Sequence, residues 1–316
     1  MRRIDLGPHG VCLRKDAVDA VGRYRVRSAL RLGEVLAPFT GVLVDAARAT
    51  EPLTYLTAAW LSVGPDAVFT GPSAAHLHGL SALPPTPVHL VLPYEHRKDP
   101  RAGIVLHNGH ALDEDREERH GLPVLGLERV VVDLLCTVWP PKALAVVDEA
   151  LAQLPESDRP TFRRHLRKRL HERPDPRGTR IGTRLVDLAS GRAESPPESW
   201  LMWQVVDLGF PVPHANLPVR DINGREMYRL DLGYEDLRIA IEYNGYAAHV
   251  DRVEADEARR RDLERRGWIV IVVDAEDFDG PARLEKELHE AFLRRGVVLG
   301  ARTTRALRPL PHRGPC

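Results

Sequence analysis

The feature that most constrains the fold is a continuous apolar run late in the chain, residues 268–273, with the sequence WIVIVV. It follows Gly267 and a highly charged stretch, 251–266, that is typical of an exposed helix. A strand that is apolar on both faces is typical of a parallel strand covered by two layers. Because parallel strands need a crossover connection such as this helix, this region is predicted to contain an α/β sheet.

Two predicted strands precede the charged helix and carry acidic side chains opposite their apolar stripes. Residues 227–233 and 237–244 alternate between apolar and polar side chains, and a tight turn joins them. Asp231 lies on the polar face of the first strand, and Glu242 and Asn244 lie on the polar face of the second. The pattern therefore directs two carboxylates and an amide away from the apolar stripes.

A turn centred on residues 235–236 would make Asp231 and Glu242 direct or diagonal cross-strand neighbours, with Cβ atoms roughly 5–8 Å apart. Two carboxylates at this separation repel each other, so the pKa of one rises unless a cation lies between them. A divalent cation with oxygen ligands, Mg²⁺ or Mn²⁺, removes this penalty and can support hydrolysis of a phosphodiester. The pair therefore predicts a metal-dependent hydrolase site.

The helix that opens this region is predicted to run from Ser195 to Leu208, with two prolines in its first turn. Glu198 stands three residues after Ser195, as in a capping box, and this structural role alone accounts for an acid at that position. With a further strand at 215–220, the element order is α-β-β-β-α-β, which predicts a three-layer α/β sandwich.

Several motifs here resemble an uncharacterised bacterial family that is related to the very-short-patch-repair (Vsr-like) mismatch endonuclease. The motifs are Glu198-Ser199, Arg229-Leu230-Asp231-Leu232, Ile241-Glu242-Tyr243-Asn244-Gly245 with His249, Asp256 with Arg259, and Gly267-Trp268. They occur in the order that the family shows, over about residues 177–296. The resemblance implies a restriction-endonuclease-like fold and a DNA substrate.

The same resemblance implies a catalytic role for each acid. Asp231 and Glu242 would bind the metal, and Glu198 would be a further acidic contributor. His249 would lie near the site as a general base or a phosphate contact, although a lone histidine in such a position is more often a hydrogen-bonded surface residue. Arg259 on the following helix would contact DNA and pair with Asp256, one turn earlier.

The chain departs from the wider nuclease superfamily at one position. Where that superfamily usually has a lysine, and relatives of this family often have an aspartate, this chain has Asn244. An asparagine can hold a water or an oxygen but can neither supply charge nor take a proton. Asn244 therefore favours a degenerate nuclease fold, whereas the joint presence of the acids and His249 favours a hydrolase.

The first 50 residues predict a winged helix-turn-helix. Two short helices, 13–21 and 24–32, each end near a glycine, and two β segments follow at 34–36 and 42–44. The arginines expected to meet DNA on the second helix are Arg25, Arg27 and Arg31, beside Arg23. The alternative is a small helical subdomain with ordinary surface arginines.

The middle of the chain predicts an α/β segment, residues 51–155, followed by a basic helix and linker, 156–192. Together with the winged helix, the helix SAAHLHG at 73–79 resembles the antitoxin-type domain of the AbiEi family, and this resemblance implies a toxin or other protein partner. The arginines between 159 and 192 are either a phosphate-facing strip or a solvated helix face. The endonuclease-like domain is assigned to 193–296 and a flexible tail to 297–316.

Composition excludes several classes of protein. The chain of 316 residues has three scattered cysteines and a formal net charge of zero. Its sequence contains no apolar run of membrane-spanning length, and the N-terminus lacks a signal peptide pattern. We therefore expect a cytoplasmic protein without a membrane partner. The main hypothesis is a metal-dependent DNA endonuclease-like protein; the alternatives are a non-enzymatic, antitoxin-like DNA-binding regulator with a degenerate nuclease domain, or a protein-interaction module.

Overall fold

The computed structural model describes residues 3–96, 101–109, 111–245 and 253–299. It is a mixed α/β structure with three sheets. The chain separates into two compact units, Met1–Asp133 and Leu134–Cys316. Within the described residues, no helix has both the length and the apolar character needed to cross a membrane. The finer domain boundaries expected from the sequence stay predictions.

The first unit begins with two helices and a small antiparallel sheet of strand order β1-β3-β2. The elements are β1 (Val11–Leu13), α1 (Arg14–Val21), α2 (Arg23–Arg31), β2 (Val35–Leu36) and β3 (Val42–Asp45). Gly22, with a φ of 84°, ends α1 and separates it from α2. Val26, Ala29 and Leu43 are buried in the core beneath them. Both predicted helices and both predicted β segments are present, whereas β1 was not predicted.

The remainder of the first unit is a five-stranded mixed sheet of order β6-β5-β4-β8-β7, with helices. In chain order the elements are α3 (Pro52–Val63), β4 (Val68–Phe69), α4 (Gly71–Leu77), β5 (Val88–Leu92), β6 (Ile104–Asn108), β7 (Arg116–Arg119), β8 (Leu122–Leu125) and α5 (Leu127–Thr137), which crosses the division between the units. Two 3-10 turns, Ala46–Arg48 and Asp113–Asp115, join these elements. Strand β7 was not predicted, because its four residues are all charged and exposed.

Four helices begin the second unit. They are α6 (Pro140–Ala152), α7 (Arg159–Glu172), α8 (Thr179–Leu188) and α9 (Pro196–Asp207). The prediction of a linker after α7 is wrong over residues 179–188, because α8 forms there and buries Leu185 and Val186. Gly178 precedes α8 with a left-handed φ of 78°, and a Cβ at this position would lie 2.3 Å from the carbonyl oxygen of Cys136. A glycine is therefore required for α8 to start where it does.

A buried acid joins α6 to the segment that leads into α9. Asp148 is 3% exposed. Its Oδ1 accepts hydrogen bonds from the N–H groups of Ser190 (2.7 Å) and Gly191 (2.8 Å), and its Oδ2 accepts one from the Ser199 hydroxyl (2.8 Å). Burial raises the pKa of Asp148, while these donors and the nearby charge of Arg163 oppose the rise.

The second unit ends with a four-stranded sheet of order β12-β11-β10-β9. Its elements are β9 (His214–Arg220), β10 (Glu226–Tyr234), β11 (Ile239–Tyr243), α10 (Val253–Arg265), β12 (Ile269–Val273), a 3-10 turn (Ala275–Phe278) and α11 (Ala282–Arg294). Strand β12 pairs in parallel with β11 after α10, as its apolar run predicted, and the other pairs are antiparallel. Helix α11 was not predicted. Most of the expected tail, and His249, lie outside the described residues.

Candidate functional site

The register of β10 and β11 brings the two predicted acids together. Leu232 pairs with Ile241, so Asp231 and Glu242 stand opposite each other at the next position. The Oδ2 of Asp231 accepts a 2.8 Å hydrogen bond from the N–H of Tyr243. Of the two arrangements expected from the sequence, direct and diagonal neighbours, the strands adopt the direct one.

Glu198 is held at the start of α9 by its own helix turn. One carboxylate oxygen accepts from the Ser195 hydroxyl and the other from the N–H of Glu194, each at 2.8 Å. The amide of Asn216 on β9 also donates to Glu198, at 3.3 Å. Ser195 is the N-cap, as predicted, but the reciprocal capping box is wrong: the serine hydroxyl donates to Glu198 and makes no cap hydrogen bond to the backbone.

The pKa values of all three acids are raised. Burial, opposed by Arg259 and assisted by the negative charges of Asp231 and Glu198, raises the pKa of Glu242 to about 8. Burial is also the main cause for Asp231 and for Glu198, and the charge of Asp231 adds to the rise at Glu198. The carboxyl groups of Asp231 and Glu198 therefore lie close enough to Glu242 to disfavour its ionisation.

Arg259 supplies the positive charge beside these acids. Its Nη2 lies 2.9 Å from Oε2 of Glu242 and donates a 2.6 Å hydrogen bond to the carbonyl of Arg229. Its guanidinium carbon is 5.9 Å from the centre of the Tyr228 ring. The expected pairing of Arg259 with Asp256 is thus wrong, because α10 turns this side chain toward the sheet rather than along its own surface.

The carboxylate oxygens of Asp231, Glu242 and Glu198 are the type of ligand that a hard cation prefers. Most of these oxygens already contact protein groups. Among the described residues, no three His, Cys, Asp or Glu side chains form a group that could hold a metal ion. The Oε1 atom of Glu242, in contrast, is buried and has no hydrogen-bond partner in the described part of the chain. The side-chain amide of Asn244 donates to Asp274 at 3.0 Å. A cation at Glu242 would compete with Arg259.

The arginines of α2 divide between two environments. Arg23, Arg27 and Arg31 are exposed and recur every four residues, so they share one face of the helix. Arg25, also expected to contact DNA, instead forms a 2.5 Å ion pair with Glu34, and its side chain is only 16% exposed. Tyr24, which is 78% exposed, was not singled out from the sequence, although helical spacing places it beside the exposed arginines.

Comparison with known proteins gives a family match in the middle of the chain. Residues 66–191 match the AbiEi antitoxin C-terminal domain family. The matched segment includes α4 to α8 and ends just before α9. This match agrees with the AbiEi resemblance seen in the sequence, although it extends through the basic region that was expected to be separate.

The chain is also similar to two relatives from Mycobacterium tuberculosis. These are the uncharacterized proteins Rv2248 and MT2308, each from a different strain. Each is 28% identical over 236 residues, which span 74% of this chain and 84% of the relative.

Proposed function

We propose that this chain is a DNA-binding, antitoxin-like regulator. The match of residues 66–191 to the AbiEi antitoxin C-terminal domain is the observation that carries the proposal. An antitoxin acts on a cognate toxin, so the proposed partners are DNA and a toxin protein. The proposal applies to the whole chain, including the helices and the hairpin that precede the matched segment.

In this proposal, residues 11–45 form a winged helix-turn-helix with α2 as the recognition helix and β2–β3 as the wing. Arg23, Arg27 and Arg31 would contact phosphates and base edges, with Tyr24 beside them. The Arg25–Glu34 ion pair would fix α2 against the start of the wing. Support comes from the order of these elements and from the exposed basic face of α2.

The test measures binding of the full chain to duplex DNA selected from a random-sequence library. We expect Arg27→Gln/Arg31→Gln to weaken binding about ten-fold or more, since it removes two cationic contacts. The matched control is Arg116→Gln/Arg119→Gln, which removes two exposed charges from β7 and should change affinity less than about two-fold. Absence of DNA binding by the wild-type chain at low salt would refute the proposal.

A second function is favoured by the facing acids Asp231 and Glu242 on β10 and β11, with Glu198 on α9 nearby. In this second proposal, residues 193–296 form a restriction-endonuclease-like three-layer sandwich related to the Vsr-like family. Asp231 and Glu242 would hold Mg²⁺ or Mn²⁺, with Glu198 as a further acid and His249 near the site. Bound there, a divalent ion would supply an acidified water and neutralise charge on a phosphodiester.

Cleavage of supercoiled plasmid DNA with Mg²⁺ or Mn²⁺ separates the two proposals. Under the second, wild type nicks the plasmid and Asp231→Asn does not, while the control Asp236→Asn in the exposed β10–β11 turn retains cleavage. DNA binding without metal-dependent cleavage selects the regulator. A chain that neither binds nor cleaves DNA at low salt would be a protein-interaction module.

A further inference from the structure

A basic cavity of about 390 Å³ lies in the second unit, between α7, α8 and the start of β9. Three arginines line it, Arg163, Arg167 and Arg192, together with one acid, Asp187, and the imidazole of His214. Met202 and Val212 contribute an apolar part of its wall. The volume lies within the range of clefts that bind small ligands, roughly 300–1,000 Å³.

The spacing of arginines on α7 concentrates positive charge at this cavity. Arg159, Arg163 and Arg167 recur every four residues, so they lie in one row along the helix. Burial lowers the pKa of Arg163, and the positive charges of Arg167 and Arg159 lower it further. Like charges in such a row destabilise a helix unless counter-charges offset them.

Protein counter-charges offset this row only in part. The Nη2 of Arg163 donates to the carbonyl of Ala189, while its Nε is buried with no hydrogen-bond partner among the residues that the structure describes. Arg167 pairs with Asp187 at 2.6 Å.

Two further acids lie nearby. Arg192 pairs with Glu156 at 3.1 Å, and both of those side chains are mostly exposed. Asp148 opposes the lowered pKa of Arg163, although burial disfavours its own ionised form. A buried guanidinium nitrogen without an acceptor therefore remains beside a polar cavity.

We propose that this cavity is an anion site that binds a phosphate group, either from a nucleic-acid backbone or from a free phosphate ester. Planar guanidinium groups bind phosphate oxygens in paired, charge-assisted hydrogen bonds. An anion here would relieve the repulsion between Arg163 and Arg167. The site goes beyond the proposed function, because it uses neither α2 nor the acids of the sheet.

The cavity also borders the acidic site along the chain. The Asn216 amide donates both to the carbonyl of Arg192, at the edge of the cavity, and to the Glu198 carboxylate. A backbone phosphate held by the arginines would thus be bound in part by Arg192, which lies close along the chain to Glu198.

The test titrates the full chain with inorganic phosphate by calorimetry at constant ionic strength, and separately with duplex DNA. We expect Arg167→Gln, at an exposed position, to weaken phosphate binding about ten-fold, the loss that follows from removing one charge-assisted hydrogen bond. Asp187→Asn should strengthen it, because Arg167 loses its competing carboxylate. The matched control is Arg164→Gln, on the same helix but outside the cavity wall.

The DNA titration distinguishes the two sources of phosphate. If the ligand is a nucleic-acid backbone, Arg167→Gln also weakens DNA binding and lowers the salt slope by about one. If it is a free ester, DNA affinity is unchanged and only phosphate binding falls. Equal effects of Arg167→Gln and Arg164→Gln, or no gain in Asp187→Asn, would overturn the proposal.

Discussion

Arg259 lies 2.9 Å from Glu242 and brings a guanidinium group from α10 to the partly buried acid that faces Asp231. Within the described part of the chain, the positive charge of Arg259 opposes the raised pKa values of Asp231 and Glu242. Arg259 therefore performs inside the protein part of the neutralising role that the sequence assigned to a metal ion.

Replacing Arg259 should destabilise the protein in a pH-dependent way. In Arg259→Gln, an ionised Glu242 loses its partner, so we expect the loss of unfolding free energy to be about 1 kcal/mol larger near pH 9 than near pH 5.5. Urea denaturation at both pH values measures this difference. Arg260→Gln, an exposed neighbour on α10, is the control and should show little effect at either pH. An equal loss at both pH values would contradict the assignment.

Glu242 should make the protein less stable as the pH rises. Its folded pKa of about 8 exceeds the ordinary value of 4.5, so the fold favours the neutral acid. The stabilisation is fully present below about pH 4.5 and is lost as the pH rises through about 8.

Glu242→Gln, which keeps a neutral side chain, should remove this dependence. It should be more stable than wild type near pH 9, by on the order of 5 kcal/mol at most. Denaturation curves across this range measure the effect, and Glu235→Gln in the exposed turn is the control. A Glu242→Gln variant with the wild-type pH dependence would show that another group causes it.

Gly178→Ala should be strongly destabilising because of space as well as backbone angle. Its Cβ would meet the backbone of Cys136, whereas Gly224, at a similar φ of 80°, has nothing within 4 Å of an added Cβ. We expect Gly224→Ala to cost about 1–2 kcal/mol from the left-handed backbone alone and Gly178→Ala clearly more. Thermal unfolding of both variants tests this, and equal costs would argue against the close approach to Cys136.

Arg25 and Arg27 should behave differently in DNA binding although they are two residues apart. Arg27→Gln removes a proposed phosphate contact and should lower the slope of log affinity against log salt by about one. Arg25→Gln breaks the ion pair with Glu34, and should leave that slope unchanged and cost at most about 1 kcal/mol of stability. If Arg25→Gln changes the salt slope as much as Arg27→Gln, then both arginines contact DNA.

Asp148→Ala should destabilise the second unit by about 3 kcal/mol. The substitution leaves the buried N–H groups of Ser190 and Gly191 and the Ser199 hydroxyl without their acceptor. Chemical denaturation measures the loss. Asp158→Ala, at an exposed aspartate of the same unit, should change stability by about 0.5 kcal/mol or less. A similar effect of the two variants would mean that Asp148 has no special role in joining α6 to α9.

Local patterns in the sequence were sufficient for most elements around the candidate sites. The apolar run of β12 and the alternation in β10 and β11 placed three strands and brought Asp231 and Glu242 to neighbouring strands. These predictions succeeded because periodicity is set within a few residues. Strand β7 was missed for the same reason, since its four charged residues carry no alternation and depend on pairing with β8.

The partners of the charged groups emerged only from the tertiary structure. Arg259 contacts Glu242 and the backbone of Arg229, Arg25 turns to Glu34, and Arg163 lies among other arginines at a cavity. A long side chain on a helix can reach its own surface or a neighbouring element, and sequence spacing predicts only the first choice. Which choice is made depends on how helices pack on strands far away in the chain, and that packing sets where positive and negative charges meet.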